Sequence, residues 1–207
     1  MEIKCLPLGE MGANCYLIST DFAAVVIDPG VFSFEVKDFL EKNSDKERMI
    51  LLTHGHFDHI GGAKRLREET GVKIAVGKND NDALLNPALN LSAYFGSGIE
   101  PFGADILLSN LEKFSVGDIE FCVMETKGHT KGGVCYLCGD NLFSGDILFF
   151  QSIGRTDFPG GSYTEMADSL KRLMELSDNI TVFSGHGQKT TIGYERKYNP
   201  YLREFNI

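Results

Sequence analysis

The stretch THGHFDHIGG, residues 53–62, carries the side chains of this sequence that are best suited to chemistry. It holds three of the five histidines of the chain, together with one aspartate, within six consecutive positions. The ligand candidates are His54, His56, Asp58 and His59. Neutral imidazoles and a carboxylate form a ligand set that suits zinc, iron or manganese. Four such side chains so close together predict a metal site, whereas a lone histidine would more often be an ordinary hydrogen-bonded residue.

The two remaining histidines and one aspartate lie in similar settings. His129 in TKGHTKGG and His186 in FSGHGQK each occupy a glycine-flanked loop directly after a strand-like run. Asp146 in LFSGDILFF lies between apolar residues, where burial without a partner would be costly and a metal ion would satisfy the carboxylate. Each residue alone fits an ordinary polar position at a strand end. Together with the first motif they provide five histidines and two aspartates, enough for two adjacent ions.

The residues around the first motif predict the elements that position it. MILLT before it has the composition of a buried strand, and AKRLREET after it has helical periodicity. The candidates therefore occupy a loop at the C-terminal end of a strand, a common place for catalytic side chains. In an extended loop, side chains 54, 56 and 58 would share one side and side chain 59 would point elsewhere. The motif is thus expected to reach in two directions.

Short apolar runs alternate with helical segments along the whole chain. The predicted strands are EIKCLPL, NCYLIS, AAVVIDPG, MILLTH, KIAVG, IEFCVMET, VCYLCG, NLFSGD and ITVFSGHG. The predicted helices are FSFEVKDFLEKN, AKRLREET, NDALLNPALNLSAYF, YTEMADSLKRLMEL and NPYLREF, the last with Asn199 as its N-cap. This mixture predicts an α/β protein with helices over sheets. The segment 79–105 is expected to be a plain surface excursion, with a lid over the site as the alternative.

Composition limits the possible partners and the compartment. The net charge of -9 and the pI near 5.0 argue against a nucleic-acid partner, because such binding depends on clustered lysine and arginine. No stretch approaches the roughly 18 consecutive apolar residues of a membrane span, and the first residues lack the pattern of a signal peptide. We therefore expect a cytoplasmic protein with a small-molecule substrate, no nucleic-acid partner and no membrane partner. The sequence leaves the oligomeric state open.

The cysteines indicate reduced, buried thiols and no disulfide framework. Their number is odd, and they are spread through apolar, strand-like stretches. Cys135 and Cys138 form a C-x-x-C pattern, but they fall on a predicted strand, where residues three apart face opposite sides of the sheet. Core packing is therefore favoured for this pair over metal or redox chemistry.

Four motifs, taken in chain order, resemble the metal motifs of the metallo-β-lactamase-fold hydrolases. They are THGHFDHIGG, GHT at 128–130, SGD at 144–146 and SGHG at 184–187. VVIDPG at 25–30 also resembles the early strand and turn of that superfamily, where Asp28 would be a structural residue and not a ligand. The resemblance implies a single domain over 1–207 with the α/β fold of a four-layer αβ/βα sandwich, and a site between two sheets.

Position by position, the resemblance implies two metal sites. The first ion would be held by His54, His56 and His129, and the second by Asp58, His59 and His186. Asp146 would bridge the two ions. Asp58 would also accept or relay the proton of the attacking water. The implied cofactors are two divalent ions, zinc by preference, with iron or manganese as alternatives.

Further segments narrow the resemblance to one subgroup. Antibiotic-degrading members of the superfamily typically lack the bridging aspartate, whereas glyoxalase II-like thioesterases have it. SIGRTDFPGG at 152–161 and ERKYNPYL at 195–202 resemble small bacterial glyoxalase II-like (hydroxyacylglutathione hydrolase-like) proteins, and also persulfide dioxygenases, which use one iron. Glyoxalase II proper has a helical C-terminal region that grips glutathione, and we expect this chain to lack it.

Two substrate-binding residues are implied by the same subgroup. Arg155 would lie where glyoxalase II places a basic residue against the anionic tail of the substrate, and a salt bridge with Asp157 is the alternative. Tyr163 would line the pocket, or else simply begin the following helix.

The resemblance implies a metal-dependent hydrolase with a dinuclear centre, in which a hydroxide between the ions attacks a thioester or ester carbonyl. The main alternative is a persulfide dioxygenase with one iron at His54, His129 and Asp146. An RNA-processing phosphodiesterase is a further alternative that the acidic pI disfavours.

Overall fold

A computed structural model describes residues 1–95, 98–205 and 207, and most of its strands form two six-stranded sheets. The first sheet contains, in spatial and chain order, β1 (Glu2–Leu8), β2 (Ala13–Ser19), β3 (Ala23–Ile27), β4 (Glu47–Leu52), β5 (Lys73–Gly77) and β6 (Ile106–Leu108). Strands β1 to β3 are antiparallel and β3 to β6 are parallel. The parallel strands β3, β4 and β5 therefore end at one edge of the sheet, where the loops carrying Asp28, the THGHFDHIGG motif and Asp80 begin.

The second sheet delivers the remaining candidates to the ends of its strands. Its members, in spatial order, are β14 (Thr190–Thr191), β13 (Thr181–Ser184), β10 (Asn141–Gly145), β9 (Val134–Cys138), β8 (Ile119–Glu125) and β7 (Lys113–Val116). A small two-stranded sheet is formed by β11 (Leu148–Phe149) and β12 (Ser152–Ile153). Strands β10 and β13 are parallel, and both are antiparallel to β9, as is β8. The loops with His129, Asp146 and His186 therefore begin at the same edge.

Helices cover the outer faces of the sheets. They are α1 (Phe34–Lys42), α2 (Phe57–Ile60), α3 (Ala63–Thr70), α4 (Asn81–Leu85), α5 (Tyr163–Leu173), α6 (Ile192–Tyr198) and α7 (Pro200–Glu204), with a 3₁₀ turn at Lys78–Asp80. Asn199 caps α7 through its side chain, and Pro200 is the first helical residue, as the sequence predicts. No helix in the described ranges is long and apolar enough to cross a membrane.

Three apolar clusters stack in layers and define the sandwich. The first lies between the sheets and includes Tyr16, Phe121 and Phe143. The second joins the first sheet to α1 and α3 through residues such as Leu40 and Leu66. The third joins the second sheet to α5 and the C-terminal helices. The order helix, sheet, sheet, helix confirms the predicted αβ/βα sandwich.

The helix predicted over NDALLNPALNLSAYF is wrong beyond Leu85. Asn86 ends α4 in an extended conformation, because the residue before Pro87 is disfavoured in a helix. The chain continues in turns in which Leu91 adopts a φ of 68° and is buried. Within the segment 79–105, the expectation of a plain surface excursion is also wrong for residues 86–95, since Leu91 and Phe95 line the cavity beside His56 and His129. Gly96 and Ser97 lie outside the described residues.

The prediction of buried thiols is confirmed for Cys15, Cys135 and Cys138, but it is wrong for Cys5, which is exposed, and for Cys122, which is partly buried. All five are free thiols. Cys135 and Cys138 lie on β9 and pack into different apolar clusters on opposite faces of the sheet. Burial raises the pKa of both thiols, to about 12 for Cys135, so neither is a thiolate at neutral pH.

Candidate metal centre

The first donor group gathers three histidines from two loops. Ligand nitrogens of His54, His56 and His129 lie within 4.8 Å of one another, and all three residues are buried. Nδ1 of His56 is 2.9 Å from Nε2 of His129. The chain is extended through His56, so His54 and His56 reach the same side, as predicted for an extended loop.

The second donor group combines a carboxylate with two histidines. Donor atoms of Asp58, His59 and His186 lie within 4.8 Å of one another. Nε2 of His186 is 3.3 Å from Oδ2 of Asp58 and 3.4 Å from Nε2 of His59. The expectation that side chain 58 shares a side with 54 and 56 is wrong, because α2 begins directly after His56 and ends the extended conformation. The change from extended chain to helix lets one motif serve two groups.

Asp146 lies between the two donor groups. Its Oδ2 is 3.5 Å from Nε2 of His129 in the first group and 3.6 Å from Nε2 of His186 in the second. Its Oδ1 is 3.4 Å from Nε2 of His59. One carboxylate is therefore within reach of both groups.

The donor atoms fit metal ions because two of them have no other partner. Nε2 of His54, whose Nδ1 lies against the Thr53 hydroxyl, and Oδ1 of Asp146 are buried and make no hydrogen bond among the described residues. Buried polar atoms in native proteins are nearly always paired, and each exception needs an explanation. Imidazole and carboxylate donors that converge in a buried space are the explanation that a divalent metal provides.

The two groups differ in their affinity for protons. Burial, followed by the nearby histidines, keeps the pKa of His54 well below its usual value and lowers the pKa of His56 to about 2. Burial also lowers the pKa of His59, but Asp146, Asp28 and Asp58 outweigh it and raise that pKa to about 10. The pKa of His186 is raised as well, because its hydrogen bond with Asp58 and the charge of Asp146 outweigh burial.

Asp28 orients the second group and part of the first. Its carboxylate accepts hydrogen bonds from the backbone N–H and the hydroxyl of Thr53, at 2.8 and 2.6 Å, and lies 3.0 Å from Nδ1 of His59. A histidine ligand is commonly held in this way through its second ring nitrogen. Because its oxygens are already occupied, Asp28 has the geometry of a structural residue, as the resemblance implies.

Asp80 is a functional candidate that the sequence did not reveal. It is buried, and it accepts hydrogen bonds from the N–H of Gly55 at 2.9 Å, from the hydroxyl of Thr130 at 2.8 Å and from the N–H of Gly132 at 2.8 Å. It therefore ties the loop of His54 and His56 to the loop of His129. The available signal was its position shortly after the strand KIAVG. The two preceding strands, AAVVI and MILLT, are likewise followed by site residues, namely Asp28 and the histidine motif.

Two glycines allow the ligand loops to pack closely. Gly128 has a φ of 128°, and a Cβ there would overlap the backbone of Met166 in α5. A Cβ at Gly154 would overlap the carbonyl oxygen of Asp146. These positions of the GHT and SIGRTD segments therefore exclude any side chain.

The two substrate-residue candidates have different outcomes. Arg155 forms two hydrogen bonds with Asp157, at 2.7 and 2.6 Å, so the salt-bridge alternative is correct, and the residue also lines the cavity over the metal centre. Its carbonyl oxygen lies 2.8 Å from Nδ1 of His129 and orients that ring. Tyr163 begins α5 and does not line this cavity in the described part of the chain, because its hydroxyl donates to Glu204 and its ring packs on Phe205. These contacts favour the alternative that Tyr163 simply begins the helix, and a role of Tyr163 in substrate binding stays a prediction.

Fold and site together define a metal-binding protein of the hydrolase type, with His and Asp donors at the edge of an αβ/βα sandwich. The family model described as metallo-beta-lactamase superfamily matches residues 8–186, and the chain belongs to this superfamily. The hydroxyacylglutathione hydrolase GloC of Haemophilus influenzae is 36% identical over 98% of this chain and 98% of its own length.

Solved structures give the same assignment. The BLEG-1 B3 metallo-beta-lactamase is 38% identical, with a TM-score of 0.89 over 97% of this chain and 99% of that chain. TTHA1623 in a di-iron-bound form is 34% identical, with a TM-score of 0.82 over 96% of this chain and 100% of that chain.

Proposed function

We propose that this protein is a hydrolase with a dinuclear metal centre that cleaves thioesters or esters, like the glyoxalase II-like members of the superfamily. The observation that carries the proposal is the position of Asp146 between two complete donor groups. His54, His56 and His129 would hold one ion, Asp58, His59 and His186 the other, and Asp146 would contact both. The similarity to GloC and the two irons of TTHA1623 support the same function.

When bound, two such ions supply a nucleophile from water at neutral pH and polarise the carbonyl group of the substrate. Zinc is our first choice of metal, and iron or manganese fit the same donors. The residues of the chain supply the rest. The carbonyl oxygen of Arg155 and the carboxylate of Asp28 accept hydrogen bonds from Nδ1 of His129 and of His59, so that the opposite nitrogens of both rings face the site.

Asp58 is the residue we propose for proton transfer. Burial acts to raise the pKa of Asp58, but His186 and His59 outweigh it and hold that pKa below its usual value. The carboxylate is therefore ionised at neutral pH and can accept a proton from the attacking water. All five histidines belong to the donor groups, which leaves none to protonate a leaving group. A thiolate needs little such help, so the site suits thioesters better than amides.

β-Lactam hydrolysis is the second candidate, because the similar BLEG-1 structure is described as a B3 metallo-beta-lactamase. The aspartate between the donor groups favours a thioesterase, since antibiotic-degrading members typically lack it. A persulfide dioxygenase with one iron at His54, His129 and Asp146 would leave the second group without a role. We propose a small-molecule substrate and no nucleic-acid or membrane partner.

The test is metal analysis of anaerobically purified protein, combined with three assays. These are hydrolysis of a hydroxyacylglutathione thioester, hydrolysis of a chromogenic cephalosporin and oxygen uptake with glutathione persulfide. We expect two metals per chain and thioester turnover that is lost after chelation and restored by metal. One iron per chain with oxygen uptake and no thioester turnover would overturn the proposal, as would turnover of the cephalosporin alone.

A further inference from the structure

A largely apolar cavity opens directly over the metal centre. Its volume is about 390 Å³, and its floor includes His56, His129 and Asp146. Six of the residues that line it are apolar: Met11, Phe57, Leu91, Phe95, Phe149 and Phe158. Ligand sites in proteins typically combine such walls with a few convergent polar groups. These apolar side chains are therefore expected to contact the part of a substrate that does not react.

A second cavity continues the first along the surface. Its volume is about 530 Å³, and it shares Met11, Phe57, Asp58 and Phe95 with the first. The rings of Phe57 and Phe95 stack with centroids 5.7 Å apart and form the rim between the cavities. Met11 and Phe95 are 56% and 52% exposed. Large apolar side chains that are grouped and exposed beside a reactive centre indicate a binding surface.

The charges along these cavities disfavour an anionic ligand. Arg155 is the one lysine or arginine among the described residues that line them, and Asp157 holds it through two hydrogen bonds while Phe158 covers its guanidinium at 3.9 Å. Asp58 lines both cavities, and the second cavity adds a further acidic residue, Glu10. Away from the metal centre, the carboxylates of a glutathione tail would therefore find no unpaired lysine or arginine among the described residues of the cavity walls, whereas an uncharged tail needs none.

We propose that the substrate is a thioester with an apolar acyl group and no anionic tail, whose acyl chain packs against Phe57 and Phe95. This inference rests on the proposed hydrolase function and adds the substrate class. The metal centre places the reacting carbonyl at the floor of the first cavity, and the apolar rim extends away from it. Burial of each methylene on this surface should raise kcat/KM by roughly fourfold.

The experiment uses two series of thioesters with identical acyl groups, from acetyl to hexanoyl. One series carries N-acetylcysteamine, an uncharged thiol, and the other carries glutathione. With the metal-loaded protein we expect kcat/KM to rise at least about tenfold from acetyl to hexanoyl, and by up to about 250-fold if all four added methylenes are buried. We also expect kcat/KM to be higher for the N-acetylcysteamine esters than for the glutathione esters. Equal rates along the acyl series, or faster hydrolysis of the glutathione esters, would overturn the inference and leave the hydrolase function standing.

Two neighbouring aromatic residues provide a matched pair of variants. Phe95→Ala removes one of the two rings of the rim, and we expect the ratio of hexanoyl to acetyl kcat/KM to fall about fivefold or more, as for the loss of a packed side chain. Tyr94→Ala removes a ring that is 66% exposed and lines neither cavity, so the ratio should stay within twofold of the unmodified protein. Equal ratios in all three proteins would contradict the assignment of Phe95.

A binding measurement separates the two proposals. The thioether S-hexyl-N-acetylcysteamine cannot be hydrolysed, and calorimetry should detect binding that Phe95→Ala weakens and Tyr94→Ala does not. If no thioester is hydrolysed, the hydrolase function fails. This pattern of thioether binding would still support the preference of the two cavities for an apolar group. Absence of thioether binding would overturn the specificity as well.

Discussion

The two donor groups of the metal centre are built differently from the same motif. The first group has three buried histidines, and burial, followed by the nearby histidines, keeps His54 and His56 uncharged. The second group has a carboxylate, and its histidines hold protons more strongly. It is also more open, since the side chain of His186 is 28% exposed. One ten-residue motif therefore contributes ligands to a buried, uncharged donor group and to a more exposed, charged one.

Each donor group is also held in place by a buried aspartate that is not itself a member of the group. Asp28 lies against His59 of the second group and holds the backbone before His54. Asp80 holds Gly55 and Thr130, the neighbours of the first group. Both residues follow parallel strands of the first sheet. The metal ligands are thus positioned by carboxylates that follow β3 and β5, on either side of the strand β4 that leads into the histidine motif. The following changes test whether the two groups can be disturbed separately.

The largest effect is expected from Asp146→Asn, which removes the carboxylate between the groups. Both groups should lose metal affinity, and kcat/KM should fall by more than about 100-fold, beyond the loss typical of a residue that only orients a ligand. Metal content and thioester kinetics measure this. Asp140→Asn, an exposed position at the other end of β10, is the control and should behave as the unmodified protein. Loss of only one ion in D146N would contradict the position between the groups.

Asp28→Asn should affect the second group more than the first. The amide cannot replace the carboxylate at both Thr53 and Nδ1 of His59, so we expect affinity for the second ion to fall about 10- to 100-fold. Stepwise metal titration of the metal-free protein resolves the two ions. An equal loss of affinity for both ions would contradict the expectation that Asp28 acts mainly on the second donor group.

Asp80→Asn should affect the first group and the stability of the fold. An amide leaves one of the buried N–H groups of Gly55 and Gly132 without an acceptor, which should lower the free energy of unfolding by about 1–3 kcal/mol. Urea denaturation of the metal-free protein measures this, and the same metal titration should show weaker binding of the first ion, by about tenfold. Unchanged stability together with unchanged affinity would show that Asp80 positions nothing.

The smallest effect is a difference in pH dependence between the groups. A pKa of about 10 means that the His59 ring is protonated at neutral pH before metal binds, and the pKa of His186 is raised as well, so the second ion must displace protons. Its affinity should fall as pH falls, by about threefold per half unit for each displaced proton. The lowered pKa values of His54 and His56 give these ligands of the first ion no such dependence above pH 5. Metal titrations at pH 7.0 and 7.5 would show the difference, and identical slopes for both ions would contradict it.

The strands, and the residues that converge at the site, could be predicted from the sequence because their signals are local, whereas the metal-ligand role of these residues stays a prediction. Every strand predicted from an apolar run is present, and the seven candidates converge because each follows such a strand. The missed elements, such as β6 and β14, have three and two residues and too few side chains to form a pattern.

What the sequence could not predict depends on distant contacts. The turn into α2 after His56 moved Asp58 away from His54, and nothing in the motif itself indicates a helix of four residues. The role of Asp80 depends on Thr130 and Gly132, fifty residues further along, and the partner of Tyr163 is Glu204, forty-one residues away. Such pairs come together only when the two sheets pack.

The most direct test of the central claim, two ions held by two donor groups, is anomalous X-ray scattering from crystals of the metal-reconstituted protein. The account predicts two peaks, one among His54, His56 and His129 and one among Asp58, His59 and His186, with the Asp146 carboxylate contacting both. A single peak at His54, His129 and Asp146, with the second group empty at saturating metal, would contradict it.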